Sequence, residues 1–132
     1  REAFLAYVRR TKTHNPDPRR FQLQLEAFEP VSEPAASCAR YRTAIIDLET
    51  ARGGRQPLLF RVTGFACLHP DRPNRYFDVQ YSSRAPRGID PPAADLAAGE
   101  AFLSGFEFGP PPADDRWALS EGGDSLPKRE QT

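Results

Sequence analysis

The sequence places two cysteines, Cys38 and Cys67, at matching distances on either side of a glycine-containing segment, Arg52–Gly53. Hydrophobic residues alternate on both sides of this segment, and glycine tolerates positive φ at a turn position. We therefore expect an antiparallel hairpin with a tight turn centred there. Facing residues of such a hairpin have position numbers with a constant sum, which is 105 for this turn. Cys38 and Cys67 satisfy that sum, so they face each other directly.

This facing arrangement predicts a disulfide between Cys38 and Cys67. Facing residues in a non-hydrogen-bonded antiparallel pair lie about 4.5 Å apart at Cα, which is within the range that a disulfide accepts. A bridge that closes a loop of this size contributes about 3–4 kcal/mol in the chain-entropy model. Two alternatives stay open. One is a pair of buried free thiols in a cytosolic protein, and the other is a metal site formed by Cys67 and His69, although the spacing lacks a CxxC knuckle.

Composition limits the class of protein. The chain has 132 residues, enough for one domain, and its formal net charge of zero argues against a dedicated nucleic-acid-binding protein. No stretch approaches the roughly 20 apolar residues that a transmembrane helix needs. The chain begins at Arg1 and contains no Met, so we expect a processed product. Together with the predicted disulfide, this indicates an exported, periplasmic protein.

Hydrophobic spacing predicts a helix, four strands and a second helix, in that order. The first helix is expected at 1–12 and the strands at 21–28, 38–49, 57–68 and 75–83.

Prolines and glycines predict where several of these elements begin and end. Pro30 and Pro34 follow the first strand and are expected to end it. The second helix is expected to begin at Pro91–Pro92, with Asp90 as its N-cap, and to end near Gly105. A very short final strand is possible at 106–108.

The fold class that follows is α+β. We expect an N-terminal helix, a four-stranded mainly antiparallel sheet and a C-terminal helix packed across one face of that sheet. These elements form one globular domain at 1–108, and an extended tail rich in proline and glycine follows at 109–132.

The tail contains three consecutive prolines, Gly122–Gly123 and many charged residues, so it cannot bury enough apolar surface to fold alone. Its apolar residues are Trp117, Leu119 and Leu126, and Trp is enriched at interface hot spots. We therefore expect the tail to lie extended along a partner subunit, with Trp117 in a pocket of that partner. The alternative is that Trp117 folds back onto the sheet of its own domain.

No motif in the sequence predicts a catalytic, cofactor or metal site. GxSxG, Walker, GxGxxG and HExxH motifs are all missing. His69 is a candidate base, but a polar loop residue near the disulfide is the favoured interpretation. Glu100 is interpreted as a boundary residue of the second helix. Four arginines bracket the last strand and are expected either to form an anion-binding rim at one end of the sheet or to be solvated: Arg72, Arg75, Arg84 and Arg87.

The second half of the chain resembles a known group of proteins. The pattern consists of CLHP at 67–70, RYFDVQYSSR at 75–84 and GEAFLSGFEF at 99–108, with a proline-initiated helix before the last segment. Over residues 35–108 it resembles the C-terminal half of a small proteobacterial periplasmic lipoprotein family. The order of sheet and helix is also similar to PsbP/Mog1-like domains, which are mostly non-catalytic assembly and binding modules. The resemblance implies membrane contact through a lipid anchor that precedes Arg1.

These observations predict a non-catalytic accessory or binding subunit of a larger bacterial envelope complex. We expect it in the periplasm, either free or lipid-anchored, with a protein partner and without a nucleic-acid partner. A free-standing envelope immunity or inhibitor protein is one alternative. A small hydrolase or ligand-binding enzyme that uses His69 is another.

Overall fold

The computed structural model describes residues 1–51 and 53–109. The elements are α1 (Glu2–Thr13), β1 (Phe21–Val31), β2 (Cys38–Asp47), a 3-10 helix (Leu48–Ala51), β3 (Leu58–His69), β4 (Arg72–Pro86) and α2 (Ala93–Ser104). The predicted α+β class, with one helix before the sheet and one after it, is confirmed. No helix in the described part of the chain is long and apolar enough to cross a membrane.

The four strands form one antiparallel sheet in the order β1-β2-β3-β4. The register of β2 with β3 is the predicted one, since Cys38 lies opposite Cys67 and Asp47 lies opposite Leu58. The two cysteines form the predicted disulfide, with their Cα atoms 4.1 Å apart. Both are fully buried, so the bridge is part of the hydrophobic core.

The connection between β2 and β3 is longer than the predicted tight turn. β2 ends at Asp47 and β3 begins at Leu58, with the 3-10 helix directly after β2. The Thr50 hydroxyl donates to the Asp47 carbonyl oxygen (2.7 Å) and accepts from the Leu58 N–H (2.8 Å), so it joins the two strand ends. Gly53 has a φ of 85°, as expected where the chain reverses, and Arg52 lies outside the described residues.

β1 extends further than predicted and contains an irregularity. It continues through Pro30 to Val31, because β1 is an edge strand and an edge position does not require an N–H donor. A β-bulge between Leu25 and Ala27 shifts the register with β2. The bulge reverses the alternation of side chains along β1, so Phe28 rather than Ala27 joins Leu25 in the core.

The end of the chain also differs in detail from the prediction. β4 is longer than expected and covers Arg72–Pro86. Pro92 has an extended ψ of 135° and is itself the N-cap residue, so the prediction of Asp90 as N-cap is wrong. Gly105 ends α2 as predicted, whereas 106–108 form no strand.

Each helix packs on a different face of the sheet, and we call these the α1 face and the α2 face. On the α1 face, Phe4 and Val8 of α1 pack on small residues of the central strands. On the α2 face, Leu103 of α2 packs beside the disulfide. Neighbouring strand residues point to opposite faces, so Ala66 belongs to the α1 face and Cys67 to the α2 face.

Gly99 sets how closely α2 approaches β4. A Cβ atom at this position would lie 2.5 Å from Cε2 and 2.7 Å from Cγ of Tyr81. By contrast, a Cβ at Gly105 would lie 3.4 Å from its nearest neighbouring atom, and Gly105 already has a helical φ of −82°. Substitution by alanine is therefore expected to be costly at the first position and tolerated at the second.

Gly99→Ala is expected to lower the free energy of unfolding by about 1–3 kcal/mol, because the Tyr81 ring or the helix must move, and this outweighs the better helix propensity of alanine. Gly105→Ala, the matched control, is expected to change it by less than about 0.5 kcal/mol. Urea unfolding followed by circular dichroism measures both values. An equal loss for the two variants would contradict the close approach at Gly99.

Candidate functional site

A polar network joins α1 to the sheet on the α1 face. The Tyr41 hydroxyl donates to Oδ1 of Asp78 and lies 2.8 Å from Oε1 of Gln80. Nζ of Lys12 forms an ion pair with Asp78 and lies 4.3 Å from the centre of the Tyr41 ring. Gly64 makes room for the network, because a Cβ there would lie 2.9 Å from the Tyr41 hydroxyl. The last turn of α1 is thereby attached to β2 and β4.

The environment of Tyr41 keeps its hydroxyl protonated. The side chain is only 1% exposed, and burial, followed by the hydrogen bond to the Asp78 carboxylate, raises the pKa of Tyr41 far above its usual value near 10. The protonated hydroxyl is the form that the fold stabilises. Since Lys12 also pairs with Asp78, the groups of this network satisfy one another, as is typical of a structural contact.

Tyr41→Phe is expected to destabilise the protein at neutral pH by about 1–3 kcal/mol, because a hydrogen bond to a carboxylate is lost. Above pH 10 the difference in the free energy of unfolding between the wild type and Tyr41→Phe should narrow. A raised folded-state pKa gives stability that is complete below the unfolded pKa and is lost as the pH rises, by up to about 1.4 kcal/mol per pH unit. Urea unfolding of both proteins between pH 8 and pH 11 measures the gap, and a constant gap would contradict this assignment.

A charged groove of about 760 Å³ lies between α2 and the sheet on the α2 face. Three arginines and two glutamates in it form ion pairs. Oε2 of Glu26 lies 3.0 Å from Nε of Arg42 and 3.4 Å from Nε of Arg61. Nη2 of Arg40 donates to Oε2 of Glu100 at 2.6 Å. The charges in this groove are therefore largely used to hold its walls together.

Glu100 attaches α2 to the sheet. Its Oε1 accepts a hydrogen bond of 2.9 Å from the Tyr81 hydroxyl, in addition to the bond from Arg40. The hydrogen bond from Arg40 lowers the pKa of Glu100, while burial, with the bond to Glu100, raises the pKa of Tyr81. Glu100 is thus held ionised, which suits an anchoring carboxylate better than a general acid.

His69 lies in an aromatic cluster at the end of β3. Its ring centre is 5.6 Å from those of Phe77 and Phe108, and its Nδ1 accepts a hydrogen bond of 3.0 Å from the Asp71 N–H. Among residues 1–51 and 53–109, no carboxylate is hydrogen-bonded to its ring. The alternative of a metal site formed by Cys67 and His69 is wrong, because the Cys67 sulfur is bonded to Cys38.

The four arginines that bracket β4 do not meet at one end of the sheet. Arg72 and Arg75 lie at its beginning, whereas Arg84 and Arg87 lie at and just beyond its other end. Since a strand rises about 3.3 Å per residue, the two pairs are separated by about 30 Å. The Arg84 guanidinium stacks on the Phe60 ring, 5.0 Å from its centre. The expectation of a common anion-binding rim is therefore wrong.

The outer edge of β4 is unpaired in the part of the chain that the structure describes. From Tyr76 to Ala85 the register of β4 with β3 is uninterrupted. The opposite edge strand, β1, contains a bulge and Pro30, which are features that protect sheet edges against pairing with another chain. The two edges therefore differ, and β4 is the edge better suited to accept a further strand.

Exposed aromatic side chains flank the first half of β4 on both faces. On the α1 face, Tyr76 is 48% exposed and lies 5.7 Å, centre to centre, from the ring of Tyr7. On the α2 face, Phe77 is 43% exposed and lies 5.7 Å from the ring of Phe108. We call these four side chains and the outer edge of β4 the β4 edge surface. Exposed apolar groups of this kind are typical of protein interaction sites.

The disulfide also shows which amides of β4 point outward. The short Cα distance of 4.1 Å is that of a non-hydrogen-bonded pair, so the backbone N–H and C=O of Cys67 point away from Cys38 and towards Phe77 of β4. The Arg87 N–H donates to the carbonyl oxygen of Pro57, just before β3. Arg87 is an even number of residues from Phe77, so both direct their N–H groups towards the β3 side. Even-numbered residues of β4, including Ser82, therefore direct their amides away from β3.

Sequence reasoning missed this surface, although a signal was present. Tyr76 and Phe77 are adjacent, so a strand must place one aromatic ring on each of its faces. The sites predicted in the tail, Trp117, Leu119 and Leu126, lie outside the described residues, and contact of the tail with a partner stays a prediction.

No family model, curated protein or solved structure matches this chain. The geometry of the described residues is therefore the basis for the function proposed below.

Proposed function

We propose that this protein is an exported, non-catalytic binding subunit that joins a larger assembly of the bacterial envelope through the β4 edge surface. The observation that carries the proposal is the long, regular edge of β4, which no strand of residues 1–51 and 53–109 pairs with and which exposed aromatic rings flank. The occupant of this edge is an extended segment of another protein.

Addition of a strand explains why both the backbone and the side chains of β4 are suited to binding. The outward amides and carbonyls offer main-chain hydrogen bonds to an incoming strand, which supply affinity. Side chains of that strand alternate between the two faces, so apolar ones reach Tyr76 on one face and Phe77 on the other. The partner segment is thus expected to carry apolar residues in succession, not in strict alternation with charged ones.

The disulfide indicates an oxidising compartment, either extracellular or periplasmic. We propose the periplasm, with attachment to the membrane by a lipid that precedes Arg1, because the second half of the chain resembles periplasmic lipoproteins in the segments described above. In this location, an accessory domain with one reactive sheet edge is able to join a membrane-bound assembly.

Photo-crosslinking tests the proposed surface in the organism that makes the protein. We replace Phe77 with p-benzoylphenylalanine, and we expect an adduct with a defined partner protein because this ring flanks the paired edge. The matched control replaces Phe102, an aromatic residue on α2 that is 56% exposed and is not part of the β4 edge surface, and no adduct is expected there. Adducts are detected by immunoblotting and identified by mass spectrometry.

Two substitutions of Ser82 separate strand addition from general contact. Ser82→Pro removes an outward N–H while the hydrogen bonds to β3 remain, so the adduct at position 77 should be lost. Ser82→Ala keeps the N–H and should keep the adduct. Thermal unfolding checks that both variants fold. An adduct that persists in a folded Ser82→Pro variant, or that forms equally at positions 77 and 102, would overturn the proposal.

His69→Ala and Glu100→Gln test the competing hydrolase hypothesis. We expect both variants to retain the adduct at position 77 and the growth phenotype of the wild type, because neither side chain belongs to a catalytic arrangement in this proposal. His69→Ala should lose about 0.5–1.5 kcal/mol of stability with its aromatic contacts. Loss of biological function with unchanged thermal unfolding would instead indicate an active site at His69.

A further inference from the structure

Part of the α1 face is not covered by α1. The helix packs over the half of the sheet that contains Ala39 and Ala66, and the other half is open. The strand registers align one row of side chains across that open half, with each residue directly opposite the next: Leu23, Ile45, Phe60 and Arg84. Three apolar side chains therefore lead across the sheet to one guanidinium group at its β4 side.

The three apolar side chains line a groove of about 400 Å³, which we call the α1-face groove. Arg84 lies beside the groove, with its guanidinium over the Phe60 ring. The floor of the groove is apolar and half-buried, and it consists of Phe21, Leu23, Ile45, Phe60 and Val62. The groove touches all four strands, and neighbouring strands lie about 4.8 Å apart, so it is about 14 Å long. It is thus an open groove with an apolar floor that crosses the strands, and Gln80 and Ser82 line it at the β4 end.

The two ends of the α1-face groove differ in charge. At the β1 end, Arg20 is neutralised, because its guanidinium donates to both carboxylate oxygens of Asp47 and also pairs with Glu49. At the β4 end, Arg84 stacks on Phe60, and within residues 1–51 and 53–109 its guanidinium forms no ion pair with a carboxylate. Within the described residues, the groove therefore has a guanidinium without a carboxylate partner at its β4 end only.

We propose that the α1-face groove binds a free medium-chain alkyl carboxylate, with the carboxylate at Arg84 and the alkyl chain across Phe60 and Ile45 towards Leu23. An arginine fork matches a carboxylate in geometry and charge. An alkyl chain matches the apolar floor that Leu23, Ile45 and Phe60 form across the strands. The proposal rests on the residues of this groove and does not require that the β4 edge surface binds a strand.

An amphipathic helix of a partner protein fits the groove less well. Such a helix anchors itself through several large side chains over a broad apolar surface. The large hydrophobic side chains that are exposed in the described residues are Tyr7, Tyr76, Phe77, Ile89, Leu96 and Phe102, and none of them lines this groove. The recessed floor favours a ligand with the width of a single chain.

Isothermal titration calorimetry of the protein with dodecanoate, below its micelle concentration, tests the proposal. We expect binding of one molecule per chain and an affinity that rises about fourfold per methylene from octanoate to dodecanoate. Dodecylamine has the same chain and the opposite charge, and it should bind at least tenfold more weakly. NMR amide shifts on adding dodecanoate should be concentrated in residues that line the groove.

Matched variants locate the site. Arg84→Gln should weaken dodecanoate binding about fivefold and remove the preference over dodecylamine, whereas Arg87→Gln, an arginine just beyond β4, should have no effect. Leu23→Gln should weaken binding by more than tenfold, and Leu96→Gln, on exposed α2 surface, should not. Arg84 is a surface residue, so Arg84→Gln is expected to fold. It therefore keeps the test decisive even if Leu23→Gln fails to fold.

Three outcomes would overturn the inference. One is the absence of dodecanoate binding by the wild-type protein, which would leave a partner helix as the better occupant. The second is equal binding of dodecanoate and dodecylamine. The third is unchanged dodecanoate binding in folded Arg84→Gln, which would indicate adsorption elsewhere on the protein.

Discussion

The Cys38–Cys67 disulfide fixes the register of the two central strands, and the rest of the structure depends on that register. A slip of one residue between β2 and β3 would turn the side chains of a strand to the wrong face, and the bridge prevents it. Thr50 holds the opposite end of the same ladder by joining the two strand ends. With both ends held, Ala66 faces α1 and Phe65 faces α2, so each helix has its own core to pack on.

The two helices are attached to β4 by different kinds of polar contact. Asp78 of β4 accepts from the buried Tyr41 hydroxyl and pairs with Lys12 of α1, and a buried hydrogen bond to a charged group is worth about 1.5–3 kcal/mol. Tyr81 of β4 donates to Glu100 of α2, whose ion pair with Arg40 is nearly half exposed and is worth about 0–1 kcal/mol. The attachment of α1 is therefore expected to be the stronger one, and α2 depends more on its apolar contact through Leu103.

The sequence predicted the features that follow from regular spacing and missed those that depend on local irregularity. The disulfide and the α+β class followed from alternation and from the positions of Cys38 and Cys67. The bulge after Leu25 and the 3-10 helix after Asp47 were missed, because both are local departures from the regular spacing on which the predictions relied. The β4 edge surface and the α1-face groove can be predicted only when the order of the strands in the sheet is known. Alternation within single strands does not give that order.

Strand order also brings the two proposed sites together on β4. Even-numbered residues of β4 direct their amides outward and their side chains to the α1 face, so Arg84 contributes its backbone to the edge and its guanidinium to the groove. A strand added at this edge would lie about 4.8 Å beyond Arg84 and would extend the groove wall on the side where the carboxylate is proposed to bind. An acidic residue of the added strand beside Arg84 would then compete with the alkyl carboxylate for the guanidinium. An apolar residue at that position would instead cover the bound carboxylate. Binding at one proposed site would thereby be linked to binding at the other through a single residue, without any change in the fold.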